Sequence, residues 1–571
     1  MKLHIQKNGS LKGEAHIPGS KSHAIRAIFF NLLAGGGSDL KNLPENRDVR
    51  AAERVAGCFQ PGFPLKLKGA PSSKVRRIFT GNSGLTTRFL IPILGLRENT
   101  KCPVIVELGE QMQSRPIAPL INALNELGMK VEKSSDDCLK VSGRLTGGKA
   151  QIDGLSSQYL SALLIALPCT EKDSEITVKN LQEKSYVDMT LDWLEELGIK
   201  ISQEISQEES QENAITFKIP GRQSYKAFTK TITGDYSSAA FIRAAAELTP
   251  GSKVAITGLD PNDTQPDKAL EEIIQKVKAE HRTQDSPQAS ENLSREIDCN
   301  AFPDLLPVLA VLATTWPGET HLTNLANARI KEADRLKSMA AGLRALGAKI
   351  TELPDSLTVQ QSQLRGAEVE GYEDHRTVMA LAIAGLTADG ETIVTNGYAI
   401  RKTFPEFVRI LSNLGANIQI RSHITMIGFK SVGKTRVGRR LSYDLDLPFV
   451  DLDEYINQRH GESCRKIVEE HGEAYFRKLE TEALHKVLSE PDSSVIALGG
   501  GTPMTSENRQ LLEKTFCIHV TDTKDRVFQR IKEGGRPAFF GPGHLRTVFD
   551  QLWEERSSVY KELADRTFKN V

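Results

Sequence analysis

The phrase LNELGMKV at residues 124–131 recurs along the chain as LEELGIKI (194–201), LRALGAKI (343–350) and LSNLGANI (411–418). Each copy predicts an amphipathic helix that ends at a glycine, with a strand following at once. Gly128 and Gly198 are 70 residues apart, Gly347 and Gly415 are 68 apart, and the 149 residues from Gly198 to Gly347 leave room for two such steps. The spacing predicts a fold of repeated units of about 70 residues.

Two further segments complete the series. A helical pattern without the glycine, KALEEIIQKV (268–277), fills the long gap, and Gly57 lies one step before Gly128. We therefore expect six units over residues 1–420. After Ile420 the pattern changes to an apolar strand, a glycine loop and a helix, so a second domain is expected over residues 421–571.

The composition excludes several classes of protein. Of 571 residues, 39% are hydrophobic and 26% are charged, which excludes a disordered, collagenous or coiled-coil chain. The 73 basic and 73 acidic side chains give a formal net charge of zero, without the basic field that nucleic acid requires. An anion site must then be a local cluster of Lys and Arg.

Membrane insertion and export are also disfavoured. We find no apolar run of about 18 residues, no apolar signal region near the first residues, and seven cysteines without CxxC spacing. We therefore expect a cytoplasmic protein without a zinc site, a disulfide framework, or a nucleic-acid or membrane partner. The oligomeric state stays open.

A phosphate-binding loop begins the second domain. GFKSVGKT, from Gly428 through Gly433 to Thr435, matches G-x-x-x-x-G-K-[ST] between a strand and a helix. Backbone N–H groups of such a loop converge on phosphate oxygens. Lys434 is expected to reach the outer phosphates of ATP, and the Thr435 hydroxyl is expected to ligate Mg²⁺.

Two acids follow in PFVDLDEYI (448–456). Strand alternation predicts Asp451 and Asp453 on one face at the carboxyl end of a strand, where α/β sheets bind ligands. With EAYFRKLE (473–480), VIALGGGTP (495–503), GGRP (534–537) and ERSSVY (555–560), these segments resemble shikimate kinase across 423–571. The resemblance implies a P-loop kinase with a parallel sheet that phosphorylates the 3-hydroxyl of shikimate with ATP.

The resemblance also implies roles for single residues. Asp453 would orient shikimate and assist deprotonation of its 3-hydroxyl, and Asp451 would hold Mg²⁺ largely through water. The shikimate carboxylate would be bound by Arg477 and Arg556, the backbone would approach the ring at Gly499, Gly500 and Gly501, and Arg536 would close over the phosphates. Ser431 departs from the family, which usually has a third glycine there.

Basic residues of the first 420 positions cluster beside Gly, Ser or Pro at predicted turns, which favours a small polyanionic substrate. These segments are PGSKSHAIRA (18–27), GNSGLTTRF (81–89), SRPI (114–117), KEADR (331–335), EDHR (373–376) and RKTFPE (401–406). Two acids stand out among them. Asp304 lies in an apolar segment and Glu332 lies between Lys331 and Arg335, environments that suit general acid/base work.

Together with SSQYLSALL (156–164), GDYSSAAF (234–241) and DCNAFPD (298–304), these segments closely resemble the 5-enolpyruvylshikimate-3-phosphate synthase family over residues 1–420. The resemblance implies a mixed α/β and α+β chain. Its first part would be a six-repeat, two-lobed enolpyruvyl transferase fold of the inside-out α/β barrel type. The lobes would span approximately 1–15 plus 230–420, and 16–229, with the substrates in the cleft.

The resemblance implies two sets of binding residues. Phosphoenolpyruvate would be surrounded by Lys21, Arg115, Arg335, Arg376 and Lys402. Shikimate 3-phosphate would be contacted by Ser22, Arg26, Ser156, Ser157, Gln158, Tyr186, Asp304, Asn327 and Lys331. Proton transfers would be shared by Asp304 and Glu332, with Lys21 assisting, and this half would need no cofactor.

Three positions depart from the family pattern. Gln111 stands where many members have a basic residue, and Leu85 replaces a small polar residue. Glu183 stands where a phosphate-binding serine is common. Either Glu183 points away from the pocket, or the phosphate is held by Ser156, Ser157 and Lys331 alone.

The two resemblances name consecutive reactions, so the leading hypothesis is a bifunctional enzyme. Its kinase half makes shikimate 3-phosphate and its synthase half consumes it. Two alternatives stay open. One is an enolpyruvyl transferase acting on a nucleotide sugar, fused to a small-molecule kinase. The other is a chain in which one half is a degenerate binding or structural module.

Overall fold

The computed structural model describes residues 1–68, 75–205, 214–282, 293–445, 447–490, 493–537, 540 and 543–570. The chain forms two compact units. The larger unit comprises His4–Thr395 and Ala399–Ile418. The smaller unit comprises Gln419–Val571 with the short segments Met1–Leu3 and Asn396–Tyr398.

The sheets of the larger unit repeat one connection. In each of three four-stranded sheets, two parallel strands are joined through a buried helix, and two antiparallel strands complete the sheet. In order of pairing the strands are Arg76–Phe79, Val104–Glu107, Cys138–Gly143 and Met129–Ser135; Gly148–Asp153, Ser174–Lys179, Ile215–Ile219 and Ser202–Ile205; and Ser294–Asp298, Glu319–Thr323, Leu357–Gln360 and Lys349–Glu352. A further parallel pair is Glu368–Val369 with Thr392–Val394.

The connecting helices are mostly apolar, and nearly all of their residues are buried. They are Gly84–Leu94, Ser157–Ala166, Leu306–Ala313 and His375–Gly385. A hydrophobic core within residues 24–232 packs around the first two of them. Because each of these helices connects two parallel strands, each begins near the carboxyl end of the strand that precedes it.

Further elements complete residues 1–421. The helices are Lys21–Leu33, Arg47–Gly57, Glu110–Gln113, Ala118–Glu126, Lys184–Glu196, Tyr236–Leu248, Ala269–Arg282, Arg335–Ala345 and Phe407–Asn413. The 3₁₀ turns are Leu167–Cys169, Pro266–Lys268, Pro303–Leu305, Ala326–Ile330 and Gly397–Lys402. The strands are Lys2–Ile5, Lys12–His16, Asp39–Lys41, Phe59–Gln60, Lys66–Leu67, Thr229–Thr231, Lys253–Thr257 and Ile418–Arg421.

The glycines of the repeated phrase end their helices as predicted. Gly128, Gly198, Gly347 and Gly415 have φ values of +97°, +75°, +90° and +95°, the left-handed conformation that stops a helix. A strand follows each of them within a few residues. The unit at Gly57 differs, because that helix ends at Cys58 in a right-handed conformation.

The smaller unit is a parallel sheet with helices around it. The strands pair in the order Phe449–Asp451, Val495–Ala497, Ile424–Ile427, Phe516–Thr521 and Arg566–Lys569. The helices are Lys434–Leu445, Leu452–His460, Cys464–His471, Glu473–Leu488, Ser506–Glu513, Lys524–Glu533 and Leu545–Leu563, with a 3₁₀ turn at Thr502–Met504. The phosphate loop therefore leaves the central strand of the sheet.

The predicted placement of Asp451 and Asp453 on one strand is wrong. Asp451 is the last strand residue, and Asp453 lies in the first turn of the helix that begins at Leu452. The Asp451 carboxylate accepts hydrogen bonds from the N–H groups of Asp453 and Glu454, so it caps this helix and starts it immediately.

Among the residues that the structure describes, no helix is both long enough and apolar enough to cross a membrane.

Candidate active sites

Basic side chains of the larger unit lie where helices begin. Lys21 and Arg335 are the first residues of their helices, and Arg376 is the second residue of its helix. Exposed N–H groups and the helix dipole favour anions at such positions. At each of these helix starts, the backbone N–H groups and a basic side chain both favour an anion.

Arg335 joins three carboxylates. Its Nε donates to Asp374 (2.8 Å), its Nη1 donates to Asp304 (2.6 Å) and its Nη2 donates to Glu332 (2.8 Å). The Arg335 side chain is 1% exposed. Asp374 in turn caps the helix that begins at His375. One rigid guanidinium thus fixes the positions of both acids that the sequence selects for proton transfer.

Asp304 is held in its ionised form. Its second oxygen accepts hydrogen bonds from Arg376 Nη2 (2.7 Å) and the Tyr186 hydroxyl (3.1 Å). Burial alone would raise the pKa of Asp304, but Arg376 and Arg335 outweigh it and hold that pKa well below its usual value. The carboxylate is therefore ionised, as a proton acceptor must be, and its lowered pKa makes it a weak base while both arginines contact it.

Glu332 faces a second set of cations. Its Oε1 lies 3.2 Å from Lys402 Nζ and 3.6 Å from Arg115 Nη1. Burial raises the pKa of Glu332, but Lys402, Arg115 and Arg335 together hold it well below the usual value. Lys402 also donates to the Gln111 side chain at 3.1 Å. Gln111 therefore orients a predicted ligand residue.

Two further acids border this cluster. Lys21 Nζ donates to Asp48 (3.3 Å), and the Tyr186 hydroxyl lies 3.3 Å from Asp267. Burial raises the pKa of Asp267 to about 6. Sequence reasoning missed Asp48, Asp267 and Asp374. Only Asp374 carried a signal, since it lies two residues before Arg376 in EDHR.

A donor-rich group adjoins these acids at the start of the helix Ser157–Ala166. Ser156 caps that helix, and Arg88 donates to the Gln158 side chain at 2.5 Å. The Ser157 hydroxyl, the Asn327 amide and the Lys331 ammonium converge on one carboxylate, that of Glu183. Glu183 thus points toward these three predicted binding residues rather than away from them.

Arg26 forms hydrogen bonds within the protein, and the backbone carbonyl of Ser22 is one of its acceptors. Arg26 is 2% exposed and donates to Thr190 Oγ1 (2.9 Å) and to the carbonyls of Ser22 (3.0 Å) and Tyr186 (3.0 Å). Burial lowers its pKa to about 10. The structure therefore uses Arg26 to join two helices, and its contact with a phosphate stays a prediction.

In the smaller unit, the phosphate loop surrounds its own lysine. Lys434 Nζ donates to the carbonyls of Gly428 and Phe429, both at 3.0 Å. A Cβ at Gly428 would lie 2.3 Å from the Val520 carbonyl oxygen, so a side chain is excluded there. Ser431 has a φ of +65°, a conformation that the family's glycine would adopt without strain.

Thr435 and Asp451 form an oxygen pair that suits a hard cation. The Thr435 hydroxyl donates to Asp451 Oδ2 at 2.8 Å, and the other oxygen of Asp451 caps the following helix. A hydroxyl and a carboxylate beside a phosphate loop are the donors that Mg²⁺ prefers. The residues present therefore fit this ion.

A cavity of about 430 Å³ lies between the phosphate loop and Gly499–Gly501. Asp453 lines it, and burial followed by the charge of Asp451 raises the pKa of Asp453. A carboxyl group with a raised pKa beside a phosphate site is suited to exchange a proton with a hydroxyl.

Two arginines line the same cavity. Arg477 is held by Glu480 (2.8 Å) and Glu473 (2.9 Å), and the Arg556 guanidinium lies 5.8 Å from the centre of the Phe429 ring. A Cβ at Gly501 would lie 2.3 Å from Arg477. The absence of a side chain at Gly501 therefore leaves the space that the Arg477 guanidinium occupies. Sequence reasoning missed the buried Glu480, although it ends the quoted segment EAYFRKLE.

Arg536 lies at the beginning of the segment that follows. It donates to the carbonyls of Phe540 (3.0 Å) and Gly543 (2.8 Å). Pro537 and Phe540, rather than Arg536, line the cavity. Closure of Arg536 over a phosphate stays a prediction.

Two family models match the chain. The model for EPSP synthase (3-phosphoshikimate 1-carboxyvinyltransferase) matches residues 5–411, and the model for shikimate kinase matches residues 430–571. The matched ranges contain the two clusters described above.

Curated relatives and solved structures cover the first part. A 3-phosphoshikimate 1-carboxyvinyltransferase of Acetivibrio thermocellus is 40% identical over 73% of this chain and 99% of its own length. The enzyme with the same name from Methanosarcina acetivorans is 35% identical over 73% of this chain and 99% of its own length. EPSP synthase from Acinetobacter baumannii, at 21% identity and a TM-score of 0.57, shares the fold over 73% of this chain and 99% of its own.

Proposed function

The chain belongs to the EPSP synthase family and carries a shikimate kinase domain, and we propose that the two clusters described above are its two active sites. It is a bifunctional transferase of two consecutive steps of the shikimate pathway. The kinase phosphorylates shikimate at the 3-hydroxyl, and the synthase transfers the enolpyruvyl group of phosphoenolpyruvate to the 5-hydroxyl of the product. The observation that supports the synthase site is Arg335, which joins Asp304 and Glu332.

The synthase reaction moves three protons. The 5-hydroxyl gives up its proton as its oxygen bonds to C2 of phosphoenolpyruvate and C3 takes a proton, and phosphate then leaves with the C2–O bond electrons as C3 loses a proton. Asp304 and Glu332 share these transfers, with Lys21 assisting. Arg115, Arg335, Arg376 and Lys402 neutralise the phosphate and carboxylate of phosphoenolpyruvate. Such a preorganised set of charges is worth more in a buried site than in water.

The kinase reaction is mainly one of positioning. Asp453 accepts the proton of the shikimate 3-hydroxyl while Arg477 and Arg556 bind its carboxylate through fork geometry. Lys434 neutralises the transferred phosphate. Mg²⁺, which Thr435 and Asp451 would hold, supplies charge stabilisation for the phosphates of ATP.

Several finer predictions belong with this proposal. The repeat fold and the core within residues 24–232 support two lobes of inside-out α/β barrel type, with boundaries near residues 15 and 230. The cytoplasmic location, the absence of nucleic-acid and membrane partners, and a synthase without a cofactor stay predictions.

A coupled assay tests the proposal. Purified protein given shikimate, ATP, Mg²⁺ and phosphoenolpyruvate should form enolpyruvylshikimate 3-phosphate, and omitting ATP should stop the reaction at shikimate. A protein that binds ATP without phosphorylating shikimate would refute the kinase assignment and leave that half as a binding module. A competition assay with a nucleotide sugar tests the alternative acceptor, which the match to the EPSP synthase model disfavours.

A further inference from the structure

The pocket at the start of the helix Ser157–Ala166 contains hydrogen-bond donors of the kind that bind an oxyanion. The Ser157 hydroxyl and the Asn327 amide face the same point as the Lys331 ammonium. The Ser157 N–H adds a donor from the first turn of a ten-residue helix. A hydroxyl, an amide, an ammonium group and a helix N-terminus form an anion subsite.

A carboxylate of the protein itself occupies this subsite. Glu183 Oε2 accepts from the Ser157 hydroxyl at 2.8 Å and from the Ser157 N–H at 3.4 Å. Its Oε1 accepts from Asn327 at 3.4 Å and forms an ion pair with Lys331. Glu183 is 2% exposed, so its charge is compensated by these groups rather than by water.

The local backbone does not require Glu183 to lie in this place. Glu183 directly precedes the helix Lys184–Glu196 but gives that helix no capping hydrogen bond. Its φ of +55° is a left-handed conformation, which is unfavourable for a residue with a Cβ. Contacts with the donors of the subsite, rather than helix capping, therefore hold the carboxylate where it is.

The proposed function brings a second anion to the same donors, since the acceptor carries a phosphate. A phosphate dianion and a carboxylate repel each other strongly at contact distance in a buried site, and one ammonium group cannot neutralise both. We propose that Glu183 is an internal competitor of the acceptor's phosphate, which must leave Ser157, Asn327 and Lys331 before shikimate 3-phosphate binds. This inference rests on the proposed function of the synthase site.

Replacing the carboxylate tests the competition. A site that is competent for only part of the time binds its ligand more weakly by that fraction, so E183S should lower the Kd for shikimate 3-phosphate about tenfold. The KM for phosphoenolpyruvate should stay the same. E171S is the matched control, because Glu171 is an exposed glutamate paired with Arg144 at 3.1 Å, and its removal should leave both constants unchanged.

A second variant covers the case in which E183S fails to fold. E183Q keeps the shape of the side chain and one accepting oxygen for Asn327 and Lys331 but removes the charge, so it should also bind shikimate 3-phosphate more tightly. Thermal unfolding of all variants checks the fold. If both folded variants bind shikimate 3-phosphate no more tightly than the wild type, Glu183 is a structural ion-pair partner and the inference is overturned.

Titration with inorganic phosphate separates this inference from the proposed function. Phosphate alone should bind E183S more tightly than the wild type, whichever reaction the chain catalyses. A wild type that shows no turnover with shikimate 3-phosphate, combined with tighter phosphate binding by E183S, would refute the function and leave the competition standing. Normal turnover of the wild type, combined with phosphate binding by E183S that is no tighter than that of the wild type, would support the function and overturn the competition.

Discussion

At the scale of single residues, Arg335 shows how one side chain sets the chemistry of two others. It contacts Asp304 and Glu332 at 2.6 and 2.8 Å, and its own position is fixed by Asp374. The contact with Glu332 is local, since the two residues are three positions apart in KEADR. The motif could not predict Asp374, because that contact joins residues 39 positions apart.

Asp304→Asn should lower the turnover of the synthase by about 10²- to 10⁴-fold, the usual contribution of a positioned acid or base. The amide keeps the shape of the side chain but cannot accept a proton. Turnover is measured with shikimate 3-phosphate and phosphoenolpyruvate. The kinase rate of the same preparation is the control and should stay nearly unchanged, whereas an equal loss of both activities would contradict the assignment of Asp304.

Gly501→Ala should raise the KM of the kinase for shikimate about tenfold or more, because the added Cβ displaces Arg477 and with it a bidentate contact to the carboxylate. The KM for ATP should change little. Steady-state kinetics with each substrate varied in turn gives both constants. An increase confined to the KM for ATP would place Arg477 on the nucleotide rather than on shikimate.

At the scale of elements, loops between a strand and a helix position most of the chemistry. The phosphate loop follows the strand Ile424–Ile427, and burial lowers the pKa of Lys434 to about 8. The charges of Asp453 and Asp451 oppose this shift, and the charge of Lys430 adds to it. The lysine therefore loses its charge gradually as the pH rises through about 8.

The pH dependence of the kinase follows from this shift. kcat/KM for ATP reports the free enzyme, so it should fall as the pH rises through about 8 and Lys434 loses its proton. Lys430→Gln removes a neighbouring positive charge, which raises the pKa of Lys434 and should move the inflection to higher pH. A profile that is flat from pH 7 to pH 10, or an inflection that moves downward in K430Q, would contradict this reasoning.

The elements themselves were largely predictable because their signals are local. The left-handed glycines at 128, 198, 347 and 415 follow from a short phrase, and the phosphate loop follows from its motif. The alternation of apolar and acidic residues around Asp453 predicts a strand. In the structure, the hydrogen bonds that the Asp451 side chain accepts start a helix there instead. The direction of Glu183 depends on Asn327 and Lys331, 144 and 148 positions away, so sequence reasoning left it open.

At the scale of the whole molecule, each proposed active site lies within one compact unit. The predicted acids and cations of the synthase belong to the larger unit, and the phosphate loop with its cavity belongs to the smaller one. The two activities should therefore be separable by mutation and should not depend on each other for chemistry.

Mixing two single-site variants tests this independence. Asp304→Asn supplies the kinase, and Lys434→Ala supplies the synthase. Equal amounts of both should convert shikimate to the final product, although neither variant does so alone at an appreciable rate. Product formation followed in time should show a lag that lengthens on dilution, as expected for an intermediate that diffuses between chains. A mixture without product, when each variant retains its own activity, would show that the two reactions must occur within one chain.

The pairing of the cleft cations with acids has a kinetic consequence. Five basic side chains each contact a carboxylate of the same chain: Arg335, Arg376, Lys402, Lys331 and Lys21. From a distance such a surface is close to electroneutral, so it exerts little long-range pull on a dissolved anion. Association should therefore depend only weakly on ionic strength, in contrast to an open basic groove. Discrimination among anions then arises after encounter, when the incoming group exchanges places with a carboxylate that already holds the cation.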